Sequence, residues 1–326
     1  MQKLIWYVYG MFLVGFPSHS FTKEIAYLFA HGLSSDQSLA YYYEQVKKPD
    51  ELIIIDNTVQ MLFPSGKKYI WNAQEIDDRR LWIIQQPLHT FNFPDAYRGY
   101  DRSQTSLGQD NEITTLANAY EKIKDNAVVI MGMSRGASTA LNFLATRNPQ
   151  SVVAAIVESP FDSILNTLDT HCGQLWLGLI PSLLHTCPNV LFGKFNRYGI
   201  FPINVIEKID KNIPILIIAS LQDKLIPAFN SASLYLKFLE HNHPHVYFLL
   251  LDYGQHAYLL EDDDAPFYFN TVHAFYKKYN LPYNKIMAEQ GEDILTRCQP
   301  SKKIVEQALK NKKSYITYIN PSIQLK

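Results

Sequence analysis

The chain has 326 residues, 47% of them hydrophobic, with 14 glycines and 17 prolines. That composition excludes a collagen-like or broadly disordered polypeptide and supplies enough apolar material for one large core or two modest ones. The 30 Lys and Arg residues nearly balance 31 Asp and Glu, for a formal net charge of -1, so no global basic field draws the chain to nucleic acid.

Lys302, Lys303, Lys310, Lys312 and Lys313 crowd the C-terminal region and read as a solvated face. Of the 3 cysteines, Cys172 and Cys187 are open to pairing in an oxidising compartment, which leaves Cys298 free. No C-x-x-C occurs, which argues against a thiolate zinc site, and nothing in the pattern asks for a metal or an organic cofactor.

In chain order, a short MQK leader precedes the charge-free run Leu4–Phe16, followed by Pro17-Ser18-His19-Ser20. This reads as a secretory signal over residues 1–20, cleaved after Ser20, with a secreted or extracytoplasmic mature protein. The run is short for a membrane span, and no stable transmembrane anchor is expected. The alternative is a buried first strand, which would place the protein in the cytoplasm.

Ile25–Ala30 is an apolar run that stops at His31-Gly32 and suits a strand covered on both faces. Residues 38–48 suit a helix and 52–55 a second strand. Residues 57–85 carry the turn signal Pro64-Ser65-Gly66 and read as an elaborated loop or hairpin. A strand is expected over 88–93, a loop over 99–111, a helix over 112–124, a strand over 127–131, a helix beginning within 137–144, and a strand over 152–157.

Residues 162–211 interrupt this rhythm. Their centre, Gln174–Leu184, is apolar and helix-prone with a break near Pro181, and is open as an inserted lid or as extra core helices. Trp176, Leu177 and Leu179 either contact an apolar acyl group or pack those helices. The alternation resumes with a strand over 215–219, a helix over 229–239, a strand over 246–251 and a helix over 267–278. From residue 284 onward the chain reads as a polar extension, with a final helix possible over 304–309. Strand–helix alternation of this kind argues for an α/β sheet with crossover connections.

In open α/β sheets the chemistry collects at the carboxyl ends of strands. His31-Gly32-Leu33, Ser134, Asp223 and His256 all fall there. Ser134 sits in Gly132-Met133-Ser134-Arg135-Gly136 between a strand and a helix. A serine hydroxyl stays protonated near neutral pH, so it needs a base within hydrogen-bond reach and an acid that orients the base. His256 is the best base and Asp223 the best orienting acid, in the order Ser, Asp, His. Asp252, four residues before His256, is the rival acid.

Glycines flanking the serine permit the tight strand-to-helix turn of a nucleophile elbow. That turn leaves backbone N–H groups at a helix start, where negative charge develops on an attacked carbonyl. The N–H of Arg135 is the first expected donor and that of Leu33 the second. Glu158, at a strand end, either lines the pocket or serves packing or a salt bridge.

These pieces resemble the α/β-hydrolase superfamily: His31-Gly32, the Gly99-Tyr100-Asp101-Arg102-Ser103 loop, the Gly132–Gly136 elbow, the Asp223 loop and Gly254-Gln255-His256. A weaker resemblance, through Ile156–Ile164, is to the prolyl-oligopeptidase-like group. The resemblance covers residues 23–280. It implies an α/β-hydrolase fold: a mostly parallel central sheet, helices on both faces and a helical lid insertion, within a domain over 21–283. It further implies Ser134 as nucleophile, His256 as base and Asp223 as orienting acid, and acyl transfer to water without metal or cofactor. The chain departs from the family in the little sequence available for strands ahead of the His31-Gly32 strand.

The expected activity is hydrolysis of a carboxylic ester or related acyl bond in a small-molecule substrate. The alternatives are a peptidase for short peptides, with Glu158 as the first residue to inspect for amine recognition, and a non-catalytic binding protein on the same fold. In the last case Ser134 would be blocked or His256 turned away. Oligomeric state is not legible.

Overall fold

The computed structural model describes residues 25–30, 53–55, 58–62, 68–72, 106–167, 195–256, 259 and 264–316. Five strands form one parallel sheet in the order β1-β5-β6-β7-β8. They are β1 (Ile25–Ala30), β5 (Ala127–Met133), β6 (Val152–Glu158), β7 (Ile215–Ser220) and β8 (Val246–Leu251). Between β1 and β5 in sequence lie β2 (Ile53–Ile55), β3 (Thr58–Leu62) and β4 (Lys68–Asn72), an antiparallel three-stranded sheet. The expected hairpin thus falls within the hard-to-read 57–85 stretch and takes β2 as a third strand.

The strands are continuous apolar runs because both faces of the sheet are covered. Strand side chains alternate between faces, and the two main hydrophobic clusters divide accordingly. Ile215, Ile217, Val246, Phe248 and Leu250 belong to one, and Leu216, Ile218, Tyr247, Leu249 and Leu251 to the other. Helices α1 (Asp110–Glu121), α2 (Arg135–Arg147) and α3 (Ala228–Glu240) supply the first cluster. Helices α4 (Ala265–Lys278) and α5 (Lys285–Arg297) supply the second. Helix α6 (Lys302–Asn311) adds Val305 and Ala308 to the first. A parallel sheet sandwiched this way, with the nucleophile elbow at the end of β5, is the α/β-hydrolase fold.

Local chemistry sets the helix ends. Helix α1 begins two residues earlier than the periodicity predicts, with Asp110 and Glu112 in its first turn, where acidic groups complement the positive end of the helix. It stops at Glu121 because the Ile123 N–H closes on the Tyr120 carbonyl at 2.9 Å, a tightened last turn. Helix α2 is buried from Arg135 to Ala145 and ends at Asn148 in the left-handed conformation, which asparagine tolerates.

The stretch after 284 differs from the polar, weakly periodic extension expected of it. Asn284 caps α5 by accepting the Met287 N–H at 3.2 Å, and Met287, Ala288, Gly291, Ile294 and Leu295 form its buried face. Gly291 is required by closeness: a Cβ there would overlap the Asn270 carbonyl of α4. Residues beyond α5 run along the outer side of β8. The Phe248 N–H donates to the Cys298 carbonyl at 2.6 Å. The Gln299 side-chain amide donates to the Val246 carbonyl at 3.2 Å, and the hydroxyls of Tyr315 and Ser314 donate to the carbonyls of Phe248 and Leu250.

Within 162–211, a helical turn at Pro202–Val205 runs into a 3-10 turn at Ile206–Lys208. Phe195 and Phe201 pack with Leu107, Phe161, Ile164 and Ile226 in a third, smaller cluster. The centre of that stretch, with Cys172, Trp176, Leu177, Leu179 and Cys187, lies outside the described residues. So do the signal expected over 1–20, the helix expected over 38–48, the strand expected over 88–93 and the loop containing Gly99–Ser103. Cys298 is a buried free thiol. Among the described residues no helix is long and apolar enough to cross a membrane.

Candidate active site

Ser134 stands between β5 and α2 with φ 57° and ψ -122°, a conformation that costs a non-glycine residue about 1–3 kcal/mol and collects at functional sites. The surrounding structure enforces it. The Ser134 N–H donates to the Glu158 carbonyl on β6 at 2.8 Å, and the Ser134 carbonyl accepts the Ser138 N–H at 3.1 Å, opening the helix. Two residues earlier, a Cβ on Gly132 would come within 2.7 Å of the Ala137 Cα and the Gly136 carbonyl. Only glycine lets the strand pass so near the helix that turns back over it.

Asp223 lies in the loop after β7, with its side chain fully buried. One carboxylate oxygen accepts the N–H groups of Leu225 at 2.9 Å and Ile226 at 2.8 Å. The other lies 2.7 Å from His256 Nδ1. With the carboxylate oxygen as the acceptor of that contact, His256 Nδ1 is its donor. That leaves Nε2 as an acceptor, and Nε2 lies 2.9 Å from Ser134 Oγ. Serine hydroxyl, imidazole and carboxylate therefore form one hydrogen-bonded chain.

The His256 loop is shaped from two sides. Gly254 has φ +104°, and a Cβ there would come within 2.7 Å of Leu259 Cδ2. Asp264, the residue before α4, turns its carboxylate back to the loop and accepts the N–H groups of Asp252 at 2.7 Å and Tyr253 at 2.9 Å. Asp252, the rival acid, points elsewhere and accepts the Ser314 N–H at 2.6 Å.

Arg135 opens α2, and its side chain is buried against Glu112 of α1, with Nη1 3.6 Å from a carboxylate oxygen. Glu112 also accepts the N–H and hydroxyl of Ser106. The guanidinium is thus committed to tying α1 to α2. The contribution of Arg135 expected at the site is its backbone N–H. Leu33, the expected second donor, and His31 lie outside the described residues.

Glu158 closes β6 and is buried. Its carboxylate accepts the Tyr268 hydroxyl at 2.9 Å. Burial pushes the carboxyl up to about 7, while that hydrogen bond and the nearby His256 oppose the rise and Asp223 adds to it. Two other polar groups near the sheet do different work. The Ser220 hydroxyl accepts the Gln222 N–H at 3.0 Å, and His243 packs edge-on against Phe238.

Sequence reasoning singled out Ser134, Asp223 and His256, and the fold brings these three together. It missed Tyr268 and Asp264. Both lie downstream of His256 in a segment without a motif. The arrangement activates a serine oxygen for attack on a carbonyl carbon, which is the site of a serine hydrolase.

No protein-family model and no curated protein matches the chain. Among solved structures, the chain is similar to an esterase of Pyrococcus furiosus, at 17% identity and TM-score 0.48 over 78% of this chain and 82% of that one. It is also similar to an acylaminoacyl peptidase of Pyrococcus horikoshii, at 15% identity and TM-score 0.45 over 81% of this chain and 38% of that one. A puromycin-hydrolyzing peptidase of Mycobacterium tuberculosis shows 13% identity and TM-score 0.42 over 82% of this chain and 35% of that one. Likenesses this distant establish neither activity nor substrate.

Proposed function

We propose that this protein hydrolyses a carboxylic ester, or a related acyl bond, through an acyl-enzyme on Ser134. The observation that carries the reading is the unbroken hydrogen-bonded chain from Ser134 through His256 to Asp223. Ser134 Oγ attacks the carbonyl carbon as its proton passes to His256 Nε2. Asp223 holds the imidazole in the accepting tautomer and stabilises the imidazolium. The N–H of Arg135, with that of Leu33 as the second donor, takes the oxyanion; one such donor is worth roughly 100- to 1000-fold in kcat. As the tetrahedral intermediate collapses, His256 gives its proton to the leaving oxygen. A water then loses a proton to His256, attacks the acyl carbon, and releases the acid with Ser134 restored.

A neutral acyl substrate is favoured over a free peptide N-terminus because Glu158, the carboxylate first considered for amine recognition, is buried and engaged by Tyr268. A fluorophosphonate should label the wild type and leave Ser134→Ala unlabelled. Across a panel of p-nitrophenyl acyl esters and aminoacyl p-nitroanilides, the esters should turn over faster. Faster turnover of the anilides would replace ester with peptide as the substrate class, and absence of labelling in the wild type would overturn the hydrolase reading. Cleavage after Ser20 with export belongs to the same proposal, and a mature mass beginning at Phe21 in the native host is its check.

A further inference from the structure

Arg135 follows the nucleophile and opens α2, and its side chain meets Glu112 in the first turn of α1. Nη1 lies 3.6 Å from a Glu112 carboxylate oxygen, and the two side chains are only 9% and 7% exposed. Opposite charges shielded from water attract more strongly than a surface pair. Glu112 is itself held by Ser106. The Ser106 N–H donates to the two carboxylate oxygens at 3.0 and 3.2 Å, and the Ser106 hydroxyl donates to one of them. That hydroxyl oxygen also accepts the Asn111 N–H at 3.2 Å, so the carboxylate is fixed to the start of α1 as well as carried by it.

The peptide joining Ser134 to Arg135 carries the N–H expected to take the oxyanion. A peptide is planar, so its carbonyl and the Arg135 Cα together set the direction of that N–H. The carbonyl, that of Ser134, accepts the Ser138 N–H at 3.1 Å. On the other side of the Cα, the Arg135 carbonyl accepts the Thr139 hydroxyl at 2.8 Å. The remaining freedom of Arg135 lies in its side chain, which the buried ion pair anchors to a second helix.

We propose that Glu112 is a positioning residue for the oxyanion donor: through its ion pair with the Arg135 side chain it fixes the peptide whose N–H meets the developing negative charge. The proposal rests on the hydrolase reading. Glu112 touches neither the substrate nor the reacting atoms. Charge appears on the carbonyl oxygen only as Ser134 attacks, so a displaced donor costs transition-state binding and leaves substrate binding as it was. An ion pair that served the fold alone would change how much protein is native and not the rate of each native site.

Steady-state kinetics on a p-nitrophenyl acyl ester separate the two roles when kcat is divided by the number of sites titrated to completion with a fluorophosphonate. Glu112→Gln keeps the size of the side chain and an acceptor for Ser106 and removes the charge. It should lower kcat per titrated site about 10- to 100-fold at nearly unchanged KM. Inhibition by phenylboronic acid, whose tetrahedral adduct on Ser134 sets an oxygen against the same donor, should weaken by a similar factor. Arg135→Met removes the other half of the pair, keeps the backbone N–H, and should do the same. Because the two side chains act as one, the variant carrying both substitutions should be no slower than the slower single one.

Wild-type kcat per site in Glu112→Gln, a raised KM at unchanged kcat, or single effects that multiply in the double variant would each overturn the proposal. If Glu112→Gln loses its cooperative melting transition, the double variant decides, since a buried pair removed whole is tolerated better than one broken on one side. Wild-type kcat per site there would overturn the proposal too. A wild type that the fluorophosphonate fails to label removes the hydrolase reading, and the role of Glu112 with it. A wild type that labels, with Glu112→Gln turning over at the same rate per site, removes the Glu112 role alone.

Discussion

The carboxylate of Asp264 accepts the Tyr253 N–H at 2.9 Å, three residues ahead of His256, so the loop bearing the base hangs from the start of α4. The same carboxylate takes the Asp252 N–H at 2.7 Å. Hydrogen bonds to a charged acceptor contribute about 1.5–3 kcal/mol each. Asp264→Ala should therefore lower stability by about 3 kcal/mol and, by letting the imidazole drift, lower kcat about tenfold. Asp264→Asn should keep most of both. Urea denaturation and steady-state kinetics on the two variants measure this, and wild-type kcat in Asp264→Ala would show that the loop holds His256 without it.

The strain at Ser134 makes a second expectation. Its φ of 57° is disfavoured for any residue with a Cβ and free for glycine. Both Ser134→Ala and Ser134→Gly should lose turnover by roughly 10⁴-fold or more. Ser134→Gly should nevertheless be the more stable of the two by about 1 kcal/mol, read as a higher midpoint in chemical denaturation. Equal stabilities would mean that the elbow stores no backbone strain.

Two buried histidines give stability a pH dependence of definite sign. Burial lowers His273 from 6.5 to about 3 and His243 from 6.5 to about 4. Below pH 6.5 the unfolded chain takes up protons that the folded chain refuses, so stability is full above 6.5 and falls as pH drops toward 3. Glu158 works the other way: raised from 4.5 to about 7, it favours the folded state at low pH and loses that contribution as pH rises from 4.5 to 7. His273 Nδ1 accepts the Asn284 N–H at 2.9 Å, a contact that the side-chain oxygen of asparagine can reproduce. His273→Asn should flatten the fall in thermal midpoint between about pH 6 and 4, and an unaltered slope would assign that fall to other groups.

Continuous apolar runs such as Ile215–Ser220 and Val246–Leu251 were readable as covered strands because no polar face competes with them. The three strand-end residues were readable because serine chemistry demands a base and an acid in addition to the elbow. Helix α5 was harder to see. Its buried positions do recur at helical spacing, but lysine, glutamate and aspartate fill the remainder, and mean polarity hides the stripe. Tyr268 and Asp264 could not be read at all. Each acts on a group that only the fold brings near, Tyr268 across 110 residues to Glu158 and Asp264 on a loop backbone, which has no sequence signature.

The segment from Cys298 to Tyr315 bonds to the outward-facing groups of Val246, Phe248 and Leu250. A strand reading Val-Tyr-Phe-Leu-Leu-Leu is a template for pairing with another molecule when its outer backbone groups are left open. Side chains and a single carbonyl occupy those groups here, and none of them can extend the sheet by a further strand. Among the described residues, Cys298, Gln299, Ser314 and Tyr315 thus cap the outer edge of β8 and take up the groups that a further strand would need.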